Sequence, residues 1–398
     1  MLNMTFEYKL EPTTEQVATF DQWLIVCRKV WNYALKERKD WYNSRSCLVD
    51  RCSLRSEYII AADAPRPTFA NQCKGLTEAK KVIPELKSVQ SQVLQQVLKQ
   101  LEKAFTSMWE QKHGFPRFKK QNRMRSFLFP QPSQNPIDGN YIKLPVIGKV
   151  KFRNSRAIPD GFIAKQIRIV KRASGYFAMV VVECDVNIPS VMPHGHALGT
   201  DLGLNAFIAT SDNKLIARPR FFVDTQRKLK LLQQKLKHKD KGSKNWRKIQ
   251  KKVARHHQHI GDSRKDYHYK VAHQLCRGVG MIFAEDLNLK AMSKGMLCKH
   301  TLDAGFGQFL SILEYVCFKR GVFFMKVDPN GTSQTCPNCQ THTGKKPLSL
   351  RIHTCSECGY EADRDVAAAQ VVMQRGYAAV GHTVSMLSEG KVIRLPVT

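Results

Sequence analysis

The chain has 398 residues, 42% of them hydrophobic, with 64 Lys or Arg against 33 Asp or Glu and a net charge of +31. That length allows two or three domains with cores of their own. A charge excess this large repels itself unless a polyanion neutralises it, which disfavours an ordinary soluble protein and makes nucleic acid the expected partner. No segment approaches the roughly 18 to 20 apolar residues of a membrane-spanning helix. The N-terminal residues lack the apolar core of a signal peptide, so a cytosolic protein is expected.

Residues 4–10 alternate like a strand. Thr13 and Gln16 then form a capping-box pattern, and Phe20, Leu24, Cys27, Trp31 and Leu35 follow at helical spacing. Residues 43–84 are polar and carry Pro65 and Pro67, which predicts short helices and loops. A second helix is predicted over 89–109, with Val93, Val97, Leu101, Ala104 and Met108 on its apolar face. From Gly114 to about Pro189 the pattern is β-rich, with strands at 126–129, 141–144, 149–152, 166–170 and 176–182. Residues 185–196 read as a linker. Three strands follow at 197–200, 205–210 and 214–217, the last two joined by a turn at Ser211-Asp212-Asn213.

Residues 226–275 predict a helical pair broken near Lys241-Gly242-Ser243. Between Gln226 and His257 it carries 13 Lys or Arg and a single acid, Asp240. A buried strand over 280–284 ends at Glu285. A helix over 306–320 and a strand over 322–327 precede a cysteine-rich stretch at 331–360. Residues 365–374 predict a last helix, and the final twenty residues a tail.

Of 12 cysteines, eight are scattered (Cys27, Cys47, Cys52, Cys73, Cys184, Cys276, Cys298, Cys317) and fit reduced thiols of a cytosolic protein. Cys47 and Cys52 are close enough for a second metal site, a weak signal. The other four form Cys336-Pro-Asn-Cys339 and Cys355-Ser-Glu-Cys358, with 15 residues between the pairs. This is a zinc-ribbon spacing, and four thiolates fill the tetrahedron of a structural Zn²⁺, leaving no open position for chemistry.

Three acids stand in strand or helix-start settings around the ribbon: Asp201 in Gly199-Thr-Asp-Leu-Gly203, Glu285 in Ile-Phe-Ala-Glu-Asp, and Asp365 in Asp363-Arg-Asp365. Phosphodiester hydrolysis needs an activated water and a stabilised leaving oxygen, which two Mg²⁺ ions can supply, and hard cations need oxygen ligands. The order strand, hairpin, later strand and acid matches an RNase H-like fold. Gly199 and Gly203 are expected to let backbone and substrate approach closely. Asp286 competes with Glu285 as a ligand, and Asp363 with Asp365; either of the last two could instead cap the helix.

The helix pair is nearly all of one charge, which favours phosphate binding through Arg227, Lys228, Lys244, Arg247 and Lys251. Arg117, Lys119, Lys120, Arg123 and Arg125 interleave with Phe115, Phe118, Phe127 and Phe129. Those rings fit base stacking or, as the preferred reading, sheet core. Arg364, between the two acids, is a further basic candidate.

In this order the chain resembles the TnpB family, transposon-associated RNA-guided nucleases related to type V CRISPR effectors. The resemblance rests on Tyr8-Lys-Leu-Glu-Pro-Thr, Arg28-Lys-Val-Trp-Asn, Gln92-Val-Leu-Gln-Gln-Val-Leu, Gly114-Phe-Pro-Arg-Phe-Lys-Lys and Lys143-Leu-Pro-Val-Ile-Gly-Lys-Val-Lys. Gly199-Thr-Asp-Leu-Gly-Leu, Asp303-Ala-Gly-Phe-Gly, Thr332-Ser-Gln-Thr-Cys, the ribbon and Asp363-Arg-Asp365 complete it. It implies an α/β multidomain protein: a wedge β-barrel holding an inserted helical recognition domain, then a RuvC nuclease with a zinc-ribbon insert. The implied boundaries are a wedge strand at 1–11, the recognition domain at 12–114 and the barrel at 115–190. RuvC follows at 191–330, with the basic hairpin at 226–275, then the target-nucleic-acid-binding insert at 331–362, the final RuvC helix at 363–376 and a tail at 377–398. It further implies Asp201, Glu285 and Asp365 as the catalytic trio, a guide RNA from the transposon end, a target DNA, one protein per guide, and a prokaryotic cytosol or nucleoid. Ser91, Gln92 and Gln95 match positions that read a target-adjacent motif. A guide-independent nuclease or transposase and a non-cleaving RNA-guided regulator are the alternatives. Two positions depart from the family: Ala367 stands where Asn is common, and Gln340 where Gly is usual.

Overall fold

The computed structural model describes residues 2–46, 60–61, 63–133, 135–347 and 349–381. Cys47, Cys52 and most of the predicted tail lie outside them. The chain forms two compact units, Met1–Ile188 and Pro189–Thr398. No helix among the described residues is long and apolar enough to cross a membrane.

The first unit opens with β1 (Leu2–Lys9) and α1 (Thr14–Ser46). The capping box forms: Thr13 N–H donates to Gln16 Oε1 at 3.1 Å, and Gln16 N–H to Thr13 Oγ1 at 3.3 Å. After α2 (Phe69–Val82) and α3 (Pro84–Lys87) comes the amphipathic α4 (Ser91–Glu110). The 14-residue α2 is longer than the short helices expected there. Thr68 caps it by accepting from Asn71 N–H, and Phe69, Cys73, Leu76 and Ala79 pack on the core.

Strands β2 (Ser126–Phe129), β6 (Ile163–Arg172) and β7 (Gly175–Cys184) join β1 in an antiparallel sheet ordered β1-β7-β6-β2. A small antiparallel sheet contains β3 (Ile137–Asp138), β4 (Tyr141–Leu144) and β5 (Gly148–Lys151), and a Leu10–Phe152 bridge links the end of β1 to it. Phe20, Trp23, Val93, Leu101, Phe105, Phe127 and Phe129 share one core. Full burial of each such side chain contributes about 1.5 to 3 kcal/mol.

The second unit is built on a five-stranded sheet ordered β10-β9-β8-β11-β12. Here β8 (Ala197–Leu202), β9 (Ala206–Thr210) and β10 (Leu215–Ala217) run antiparallel, whereas β11 (Met281–Glu285) pairs parallel with both β8 and β12 (Phe323–Val327). Side chains alternate across a strand. Ile282 and Ala284 face one core, with residues of α6 (Lys244–Leu275) and α9 (Phe306–Arg320). Met281 and Phe283 face the other, with Val372, Met373 and Tyr377 of a helix at Arg364–Ala379. The sheet is thus covered on both faces, as parallel strands require. α5 (Gln226–Lys237) forms a hairpin with α6, and α7 (Leu289–Met292) and α8 (Cys298–Ala304) lead to α9, so the last helix is α10. Between β12 and α10 lies the cysteine-rich insert with its hairpin β13 (Ile352–Thr354) and β14 (Glu361–Asp363).

Candidate functional site

Strand period and register gather the three acids. β8 and β11 are neighbours, with Phe283 opposite Gly199 and Ala284 opposite Thr200. Asp201 shares a face with Ala197, and Glu285 shares one with Met281 and Phe283; this is the face that α10 covers. Asp365 is the second residue of α10. The helix lies tight on the sheet because glycines leave room for it. A Cβ at Gly199 would fall 2.0 Å from Ala369 O, and one at Gly376 2.2 Å from Phe283 Cγ. Gly199 therefore permits the close backbone approach expected from the sequence, here that of α10. At Gly203 a Cβ would fall 3.8 Å from Asp365 Oδ2.

Burial and mutual repulsion dominate the electrostatics. Burial first, then the charges of Glu285 and Asp365, hold the Asp201 carboxyl well above its ordinary range, and Asp201 is within hydrogen-bonding reach of Glu285. Burial also raises Glu285, opposed by the Thr332 hydroxyl and the Arg375 charge. Asp365 is raised by burial and by Asp363, and lowered by Arg351 and Arg364. Three oxygen donors crowded together, only partly offset by these arginines, fit a hard divalent cation.

The two rival acids have other tasks. Asp363 caps α10, accepting from the N–H of Asp365 at 2.9 Å and of Val366 at 3.3 Å. Asp286 is exposed and lies 3.8 Å from Lys326 Nζ. Sequence reasoning missed several neighbours of the trio. Thr332 Oγ1 donates to Glu285 Oε1 at 2.6 Å. Arg375 is anchored on Asp328 O at 2.7 Å. The Arg351 guanidinium, close enough to lower Asp365, is accepted by the Asn205 side-chain oxygen when that amide is turned toward it.

The four cysteines meet in the insert, with Sγ–Sγ distances of 3.7 Å (Cys336–Cys358) and 3.6 Å (Cys339–Cys355). A tetrahedron with Zn–S near 2.3 Å has edges of about 3.8 Å. Among the described residues they are the one group of three or more such ligands within 4.8 Å of one another, and the carboxylates are not drawn in so tightly. The cluster fits structural zinc. Backbone bonds Gln340 N–H to Cys336 O and Gly359 N–H to Cys355 O, each 3.0 Å, close its two turns. Gln340 takes φ 61°, the left-handed region that explains a usual Gly. Its amide offsets the strain by donating to Gln374 Oε1 at 2.6 Å, which ties the ribbon to α10.

The predicted nucleic-acid contacts divide. Arg227, Lys228, Lys244, Arg247 and Lys251 are exposed on the α5–α6 hairpin, as are Arg117 and Lys120 in the first unit. Lys119 is half-buried with its ammonium over the Trp31 ring, and its backbone is held by Asn32 at 2.8 and 3.0 Å. Arg364 donates to Pro347 O at 2.9 Å. Both are half-buried and already make contacts within the chain. Phe127 and Phe129 are core, whereas Phe115 and Phe118 are exposed. Ser91 accepts from Lys80 Nζ at 2.8 Å, Gln92 donates to Gln131 at 2.9 Å, and Gln95 is half-buried on the same helix.

The chain matches the families described as "Helix-turn-helix domain" of OrfB_IS605 over residues 1–47, "Probable transposase" (OrfB_IS605) over 179–296, and "Cas12f1-like, TNB domain" over 306–372. In the first region the structure has β1 and one 33-residue helix, not two helices and a turn. The "Putative RNA-guided DNA endonuclease InsQ" of Escherichia coli (strain K12) is 29% identical over 392 residues, covering 94% of this chain and 92% of that protein. A "Putative RNA-guided DNA endonuclease" of Streptomyces pristinaespiralis is 29% identical over 381 residues, covering 94% and 89%. The fold resembles the protein in "Cryo-EM structure of the Cas12f1-sgRNA-target DNA complex", with TM-score 0.53, 13% identity, and 91% and 83% of the two chains covered. The chain belongs to the TnpB family.

Proposed function

We propose that this protein is an RNA-guided DNA endonuclease whose single RuvC, RNase H-like site hydrolyses phosphodiesters. The observation that carries this reading is the convergence of Asp201, Glu285 and Asp365 on one face of the five-stranded sheet, against α10. Two Mg²⁺ ions, held by these carboxylates, would supply an activated water and stabilise the leaving oxygen. Asp201 and Glu285, side by side on parallel strands, form the rigid part of the donor set, and Asp365 closes it from the helix. Arg351, at the edge of the acids, suits a phosphate of the strand being cut.

The guide RNA would come from the transposon end, with one protein per guide. Pairing with the guide would read target sequence while the protein reads duplex shape, backbone charge and a short adjacent motif. The α5–α6 hairpin, with Arg227, Lys228, Lys244, Arg247 and Lys251 exposed, offers phosphate contacts. The first unit would be the wedge barrel with its helical recognition insert, in which Ser91, Gln92 and Gln95 read the motif. Ala367 is buried in α10, so Asp365 is supported without the side-chain amide common at that position.

The test is to purify the protein, sequence its co-purifying RNA, and challenge the complex with DNA matching that RNA. Guide-matched, Mg²⁺-dependent cutting supports the proposal. A protein without discrete RNA that cuts DNA unaided is a guide-independent nuclease. One that binds matched DNA but never cuts is a regulator.

A further inference from the structure

Thr332 is buried in a short 3-10 turn, Thr332–Gln334, that ends two residues before the first zinc-ribbon cysteine, Cys336. Its hydroxyl reaches back 47 positions in sequence to donate to Glu285 Oε1 at 2.6 Å. A carboxylate accepting a hydroxyl proton in a dry site makes a short, charge-assisted bond. The turn is itself woven into the insert. Thr335 Oγ1 donates to Gly331 O at 3.0 Å, Thr343 N–H to Gln334 O at 2.7 Å, and Cys336 N–H to Thr341 O at 2.9 Å. Arg375, whose charge also acts on Glu285, is fixed by Asp328 O, in the loop that leads into the same turn.

We propose that Thr332 is a positioning residue for Glu285, holding one carboxylate oxygen so that the other is presented to a divalent cation, and that the ribbon's fold thereby becomes part of the ion site. This rests on the reading of Glu285 as an ion ligand. Glu285 has several rotatable bonds, and burial alone fixes none of them; the Thr332 bond selects one orientation before an ion arrives. Hydrogen-bond partners of ligating carboxylates commonly carry 10- to 100-fold of metal affinity. Ser keeps the hydroxyl, whereas Val keeps the shape and removes the donor, so the two substitutions separate chemistry from packing.

The experiment is calorimetric titration of Mn²⁺ into the full-length, zinc-loaded, RNA-bound protein after removal of free divalent ions, with Asp201→Asn as the blank for the acidic site. Wild type and Thr332→Ser should bind Mn²⁺ with affinities within about threefold, and Thr332→Val should bind about 10 to 100 times more weakly. Zinc content, retained RNA and thermal midpoint serve as controls and should match across the three. Thr332→Val binding within twofold of wild type would overturn the inference, as would Thr332→Ser failing as badly as Thr332→Val. Wild type giving no more heat than the Asp201→Asn blank would overturn the acidic-site reading itself, a distinct outcome.

Discussion

The Asp363 carboxylate accepts the backbone N–H of Asp365 at 2.9 Å, and this one bond separates the roles of two acids a residue apart. Asp363 holds the helix start, which frees the Asp365 side chain to face Asp201. Asp363→Ala should cost about 0.5 to 2 kcal/mol, the usual value of an N-cap, and Asp363→Ser much less. Denaturant unfolding measures both. Each should retain guide-directed cleavage, which an Asp363 ligand role would not allow.

Asp201 carries charge at a cost to the fold. Its pKa is raised by burial and by Glu285 and Asp365, so the folded state holds its proton more tightly than the unfolded state does. The stability from that protonated form is present at low pH and is lost as pH rises through the raised folded value. Under the proposed function a divalent cation would take the proton's place above it. Asp201→Asn should therefore raise the thermal midpoint of the chelator-treated protein at pH 8, by roughly 2 to 4 °C per kcal/mol relieved. The same variant should lose the Mg²⁺-dependent stabilisation that wild type gains. Scanning calorimetry with and without Mg²⁺ reads both, and a lower midpoint in chelator would contradict the account.

Zinc should be structural. Cys355→Ser or Cys339→Ser should reduce zinc content to near zero and lower the thermal midpoint, measured by metal analysis and calorimetry. Cleavage should fall with it, because the turn carrying Thr332 runs directly into Cys336. Unchanged zinc content in either variant would refute the four-thiolate site.

The basic hairpin should act through phosphates. Lys244, Arg247 and Lys251 are exposed on α6. Replacing all three by Ala should reduce the slope of log binding constant against log salt by about 2 to 3. Fluorescence anisotropy across a salt series measures that slope. An unchanged slope would remove these residues from the interface.

What the sequence made legible was local. Asp201 and Glu285 end apolar strands, and the cysteine pairs announce their turns, because each signal spans a few neighbouring residues. The length of the helix at 69–82 was hidden by Pro65, Pro67 and Gly75, although Phe69, Cys73, Leu76 and Ala79 hold a helical stripe. Thr332, Arg351 and Arg375 meet the acids only in the folded unit; the motif that begins at Thr332 was visible, but its bond to Glu285 was not. Lys119 and Arg364 resemble surface cations by type, and their contacts with Trp31 and the Pro347 carbonyl could not be read from the sequence. The reason for Gly199 emerged only once α10 was placed against β8.

Cleavage of guide-matched DNA by wild type, Asp201→Asn, Glu285→Gln and Asp365→Asn, each purified with its RNA, is the most direct measurement. Each substitution should slow cutting at least about a thousandfold while RNA retention and DNA binding stay intact, as the proposed sharing of one ion site by the three acids requires. Any one of them cutting within tenfold of wild type would contradict the shared site.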